Sequence, residues 1–172
     1  MTGPVIPATT SQNLGSNITY SGSEDDRAAV TMEELRRLLA DVFALHLKTK
    51  AFHWHVNGPH FRDYHLLFDD QATQLFAMTD PIAERLRKLS ADAIWSISEV
   101  TRLQRLEDCR LEKRSAELML RELLDDNKRL GESLRKTHAL CDRQADVATA
   151  SLLENWIDET DERIWYLSET LR

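Results

Sequence analysis

The chain has 172 residues, 42% of them apolar and 30% charged, with a net charge of −7 at pH 7. This length fits one domain able to bury a proper core, and only five Gly and four Pro point to a soluble, helix-rich fold. The acidic balance argues against a general electrostatic grip on nucleic acid and suits the attraction of cations. No run approaches the eighteen apolar residues of a membrane span, and the N-terminus lacks a basic, apolar signal layout; a cytoplasmic location is the expectation. Cys109 and Cys141 have no paired spacing and read as unpaired thiols of a reducing compartment.

Residues 1–29 are rich in Pro, Gly, Ser, Thr and Asn without sustained periodicity, which predicts a flexible N-terminal arm ahead of a folded domain over residues 30–172. The charged residues of the arm are Glu24, Asp25, Asp26 and Arg27, and the first lysine of the chain is Lys48, so the arm is not a polycationic tail. The first helix is expected to begin near Thr31, as N-cap, with Glu34 three residues on in the pattern of a capping box. It places Leu35, Leu39, Val42, His46, Thr49, His53 and Val56 along one face. Asn57-Gly58-Pro59 ends it, and a second helix runs from about Pro59 to Lys88 with Phe61, Phe68, Ala72, Leu75, Phe76, Ile82 and Leu86 as apolar contacts. Pro81 lies inside that helix and predicts a bend beside Asp80. The third helix, about 115–142, carries Leu120, Leu123, Leu130, Leu134 and Cys141 at three- and four-residue steps. The fourth, about 146–171, does likewise with Leu153, Ile157, Ile164, Leu167 and Leu171. The long connection between the second and third helices, with Ala93-Ile94-Trp95-Ser96-Ile97, predicts a crossover containing a short helix. An all-α, ferritin-like four-helix bundle follows.

The chemistry gathers on the first hairpin. His65 and Asp69 are four apart, as are Asp80 and Glu84, and at 100° per residue all four fall on one stripe of the second helix. His53 and His65 flank the Gly58-Pro59 turn at similar offsets, so His53, His65 and Asp69 can converge on one side. Imidazole and carboxylate together suit Fe(II) and Zn(II). Yet Asp69 and Asp80 are eleven residues apart, about 16 Å along a helix, against ligand distances of about 2 Å. No single ion can be held by both pairs within one chain. A second copy, related by a two-fold axis, would have to bring its Asp80 and Glu84 across. Taken singly, these side chains are equally well packed or solvated residues, with Asp80 or Glu84 pairing to Arg85 or Arg87; their joint phase is what sets them apart.

The stretch from Lys50 to Arg85 resembles the signature of the Dps family, the mini-ferritins of starved or stressed bacteria. The residues that carry the resemblance are His53-Trp54, Gly58, Phe61, His65, Asp69, Asp80 and Ala83-Glu84-Arg85, in order and at the family's spacing. Ferritins and bacterioferritins proper fit less well, since no glutamate here has a histidine three residues later. The resemblance implies a hollow dodecameric shell built from two-fold dimers, and a ferroxidase that oxidises Fe(II), usually with hydrogen peroxide, and stores the ferric mineral. It implies a two-iron or mixed-occupancy site between subunits, His53, His65 and Asp69 from one and Asp80 and Glu84 from the other, with Glu84 bridging and Asp80 outer or water-mediated. No haem is implied. Trp54 resembles a tryptophan beside that site which intercepts stray oxidising equivalents, although plain interface packing explains it as well.

His55 and His60, flanking the turn, read as surface or interface residues, and His46 as a hydrogen-bonded core histidine. Asp70 points about 100° from Asp69 and reads as solvated or in an interface ion pair. Family resemblance makes Asp142 and Asp146 candidates to line three-fold pores for Fe(II), while N-capping explains Asp146 equally well. Trp156 and Trp165 lie on opposite faces of the fourth helix, one expected in the core and the other at a subunit contact. Three functions follow: an iron-oxidising store, a nucleoid-associated DNA-binding and DNA-protecting protein with secondary iron binding, and a purely structural bundle. With an acidic arm and no lysine-rich extension, DNA binding is expected to be weak or absent.

Overall fold

The computed structural model describes residues 24–108 and 114–172. Among the described residues five helices follow in order: α1 Glu24–His55, α2 Phe61–Lys88, α3 Ile97–Leu103, α4 Ala116–Arg143 and α5 Val147–Thr170. There is no strand among the described residues. α1 packs on α2 and α4 on α5 as two hairpins, joined chiefly through α1 and α4, while α3 lies in the crossover against α1. The all-α four-helix bundle with a short crossover helix is the architecture the apolar periodicity implies.

One seam of leucines and aromatics fills the bundle: Leu35, Leu39, Val42, Phe68, Leu75, Ile82, Leu86, Leu123, Leu130, Leu134, Leu153 and Leu167 are each about 1% exposed or less. Ile157 is half-buried against it. Phe61 and Phe76, expected as core contacts, are 45% and 57% exposed. Phe76 stands about 100° from the buried Leu75, and Phe61, at the open turn end of the hairpin, rests on the His65 ring at 5.0 Å.

Helix ends follow local chemistry. Ser96, Ser115 and Asp146 cap α3, α4 and α5 by accepting from the amides of Glu99, Leu118 and Thr149. Thr31 does not cap α1. The helix already runs from Glu24, and Thr31 lies inside it, 2% exposed. Nothing between Asp25 and Val30 breaks a helix, so residue propensity overrides the capping-box pattern. Residues 24–29, expected in the arm, are therefore helical, and the rest of the arm lies outside the described residues. α2 continues through Pro81 to Lys88. Gly58, at φ +111°, supplies the left-handed turn between α1 and α2.

Ion pairs hold the crossover on α1. Arg36 meets Glu99 at 2.8 Å, and the Arg105 guanidinium and backbone amide both donate to the buried Asp41, at 2.7–2.9 Å. Lys48, 6% exposed, joins α1 to α4 through Asp126 at 2.6 Å and Glu122 at 3.2 Å. No helix among the described residues is long and apolar enough to cross a membrane.

Candidate metal centre

At the turn end of the α1–α2 hairpin two histidines lock each other. His53 Nδ1 lies 2.8 Å from the His65 carbonyl oxygen, and His65 Nδ1 lies 2.8 Å from that of His53. A carbonyl only accepts, so each Nδ1 donates, and in the neutral ring each Nε2 keeps its lone pair. The rings stack at 3.7 Å between centroids, tilted by 21°. Two Nε2 acceptors thus stand side by side, each held by a backbone hydrogen bond of the kind that orients metal-ligating histidines. His53 is largely buried, and its Nε2 lies 4.0 Å from Asp69 Oδ1.

Asp69 is half-exposed and already paired. Lys50 Nζ sits 2.6 Å from Asp69 Oδ1, and that hydrogen bond holds the carboxyl below its usual range, the ammonium charge adding to the effect. Lys50 was missed in the sequence. Its spacing to His53, three residues on the same helix, was the available signal: a group reaching one across the hairpin can reach the other.

Asp80 and Glu84 lie at the other end of α2, both exposed. Glu84 meets Lys88 at 3.1 Å, one turn on, and not Arg85 or Arg87. Arg87 instead pairs with Asp92, and Arg85 with Asp146. Among the described residues of one chain, no three His, Cys, Asp or Glu side chains converge closely enough to hold a metal ion. The histidine pair with Asp69 and the Asp80–Glu84 pair therefore lie apart, at opposite ends of one stripe of α2. Trp54, 60% exposed, stands beside the first.

His46, one heptad deeper, has its Nδ1 2.9 Å from the Ala72 carbonyl oxygen and is half-buried, the hydrogen-bonded role expected of it. His55, His60 and Asp70 are exposed. Trp156 is in the core and Trp165 is exposed. Cys141 is a buried free thiol, pushed by burial up to about 11, with Asp146 and Asp142 adding to the shift; Cys109 lies outside the described residues.

At the α4–α5 junction Asp146 fills the capping role. Its carboxylate accepts from the Thr149 amide at 3.1 Å and from Arg85 Nη2 at 2.8 Å, so it is engaged as a cap and an ion pair. Asp142 remains exposed there, paired with His138 at 3.3 Å.

Residues 32–172 match the Ferritin family, a ferritin-like domain. Among curated proteins the chain is 29% identical to DNA protection during starvation protein 1 of Deinococcus radiodurans over 84% of this chain and 70% of that one. It is 33% identical to an uncharacterised low temperature-induced protein of Nostoc sp. over 85% and 82% of the two chains. In fold it is similar to Dps from Thermosynechococcus elongatus, with a TM-score of 0.85 at 23% identity, covering 88% of this chain and 96% of that one. The chain belongs to the ferritin-like family, and within it to the Dps proteins.

Proposed function

We propose that the protein oxidises Fe(II) at sites shared by two-fold-related subunits and stores the ferric product inside a hollow dodecameric shell. His53, His65 and Asp69 of one subunit face the partner's Asp80 and Glu84. Glu84, with two carboxylate oxygens, bridges two irons, and Asp80 acts through water. Two ferrous ions side by side give one electron each to one hydrogen peroxide, which takes up two protons and leaves as two waters. Because both electrons move to the same molecule, no hydroxyl radical is released. Trp54, exposed and next to His53 in the chain, would absorb an oxidising equivalent that escapes. Carboxylates then favour the ferric state, whose higher charge they stabilise. The protein would thereby limit oxidative damage in the cytoplasm while holding iron.

The observation that carries this reading is the reciprocal pair of hydrogen bonds between His53 and His65, which uses both Nδ1 atoms as donors and, in the neutral rings, leaves both Nε2 atoms to accept a metal. Packed or solvated histidines need no such matched arrangement. The test is Fe(II) oxidation by peroxide or oxygen, followed by ferric absorbance. His65→Ala and Glu84→Ala should each slow the rise by about tenfold or more. Unchanged rates in both variants would leave a structural bundle as the better account. DNA retention is expected to be weak or absent, given the net charge of −7. A gel shift with low-micromolar retention at physiological salt would reverse that expectation.

A further inference from the structure

We propose that Arg85 is a positioning residue that fixes the Glu84 carboxylate by tying the last turns of α2 to the start of α5. The inference rests on the reading of Glu84 as an iron ligand. Arg85 is the next residue to Glu84 but points away from it, about 100° around the helix. Its side chain is mostly buried. Nε donates to Thr149 Oγ1 at 2.7 Å, and Nη2 donates to Asp146 Oδ1 at 2.8 Å. Thr149 in turn donates its hydroxyl to Asp146 Oδ2 and its amide to Asp146 Oδ1. Thr149 and Asp146 are thus each bound both to Arg85 and to one another. Partial burial raises Asp146, but the Thr149 hydrogen bonds and Arg85 outweigh it and hold the carboxyl below its usual range.

The anchor itself is stiff. α4 ends with Asp146 N donating to the Cys141 carbonyl and Ala145 N to that of Asp142, with Ala145 left-handed at φ 55°. α2 ends in the same way, Ala91 N to Leu86 and Ser90 N to Arg87, with Ser90 at φ 63°. Arg85 therefore ties the closed end of α2 to the α4–α5 junction, apart from the contacts that Gln71, Gln74 and Met78 of α2 make with Arg163 of α5. Glu84, by contrast, is exposed and held through Lys88, whose own ammonium is exposed. A carboxylate about 6 Å from the helix axis moves about 1 Å for each 10° of helix rotation, whereas ligand geometry tolerates about 0.5 Å. Without the tie, the orientation of this turn, and with it the ligand, is loose.

The test uses the assembled full-length protein with Co(II) as probe, reading the dissociation constant and the visible ligand-field spectrum beside the melting temperature. Arg85→Gln should weaken Co(II) binding about tenfold and alter the spectrum, and Arg85→Lys, which still reaches Asp146, should recover most of both. Asp146→Asn keeps the helix cap but loses the ion pair, and should reproduce the Co(II) phenotype from a residue 61 positions away in sequence. The double variant Arg85→Gln/Asp146→Asn should be no worse than either single change, because both cut one connection. If these variants lower the melting temperature but bind Co(II) with wild-type affinity and spectrum, Arg85 only stabilises the fold and the proposal is overturned. Should Glu84→Ala also bind Co(II) normally, the shared-site reading fails, and the role of Arg85 fails with it.

Discussion

Separating the two half-sites onto different mutant chains offers the most direct trial of the shared centre. His65 and Glu84 are nineteen residues apart on α2, about 28 Å at 1.5 Å per residue. Neither can contact an ion held by the other in the same chain. In a two-fold dimer each site takes its histidines from one subunit and its carboxylates from the other. A dimer of one His65→Ala chain and one Glu84→Ala chain therefore holds one site with both defects and one with neither. Random co-assembly at equal amounts makes about half the dimers mixed, so about a quarter of all sites are intact. Co-expressed variants should thus recover about a quarter of the wild-type rate of peroxide-driven Fe(II) oxidation, while each variant alone is nearly inactive. Size-exclusion and light scattering would first establish that all three preparations assemble alike. Mixed assemblies no faster than the parents would refute a site divided between subunits.

Other consequences follow from particular side chains. Replacing Lys50 with Met removes the ammonium that Fe(II) must displace from Asp69; the pair is partly exposed, so the gain is about 1 kcal/mol, or roughly fivefold tighter Fe(II) binding by anaerobic titration. Weaker binding would mean that Lys50 orients Asp69 instead of competing for it. Arg163, fully buried and pulled down to about 10 by burial, donates to Asn127 and Thr160 at 2.9 and 2.7 Å without a carboxylate partner. Arg163→Ala leaves Asn127 Oδ1 without its donor beside a cavity, Thr160 keeping its bond to the Trp156 carbonyl, and should cost about 3 kcal/mol or more in calorimetry; a negligible shift would show that the site collapses freely. Asp146 has a lowered carboxyl, so its folded form binds the proton less well than the unfolded chain, and its stabilisation is present at neutral pH and lost as pH falls through the carboxylate range. Urea midpoints from about pH 6 to about pH 3 should therefore fall more steeply for the wild type than for Asp146→Asn; parallel curves would contradict the shift.

The four-helix pattern was legible because each long helix repeats its apolar residues at a helical period, as Leu123, Leu130 and Leu134 do on α4, all fully buried. The alignment of the candidate ligands was legible for the same reason: phase alone places His65, Asp69, Asp80 and Glu84 on one stripe of α2. What escaped depends on contacts distant in sequence. Lys50 meets Asp69 across the hairpin, and Arg85 reaches an aspartate two helices away. Nothing local in an arginine beside a glutamate distinguishes an exposed ion pair from a tie to another helix terminus. Thr31 misled for the opposite reason. It carries a correct local capping pattern, but the residues before it continue the helix at no cost.

The stripe also predicts where a two-fold axis must cross it. If the His65–Asp69 end of one α2 is to meet the Asp80–Glu84 end of its mate, the axis passes midway, between Gln74 and Leu75. Phe76 lies next to that point and, eleven residues from His65, only about 20° off its phase. It is 57% exposed in the single chain, its ring 5.1 Å from that of His46. An apolar side chain in the middle of a polar stripe makes sense if it meets its own symmetry mate, where one residue is buried twice. Phe76→Lys would lose both burials and set two ammonium groups near each other. The loss of apolar burial alone is about 3 kcal/mol per dimer, a hundredfold or more in the dimer dissociation constant. Analytical ultracentrifugation should show the dimer dissociating, and Fe(II) oxidation should fall with it, although every ligand is intact. A Phe76→Lys protein that still dimerises and oxidises iron normally would place the axis elsewhere, and the pairing of half-sites derived from the stripe would fall.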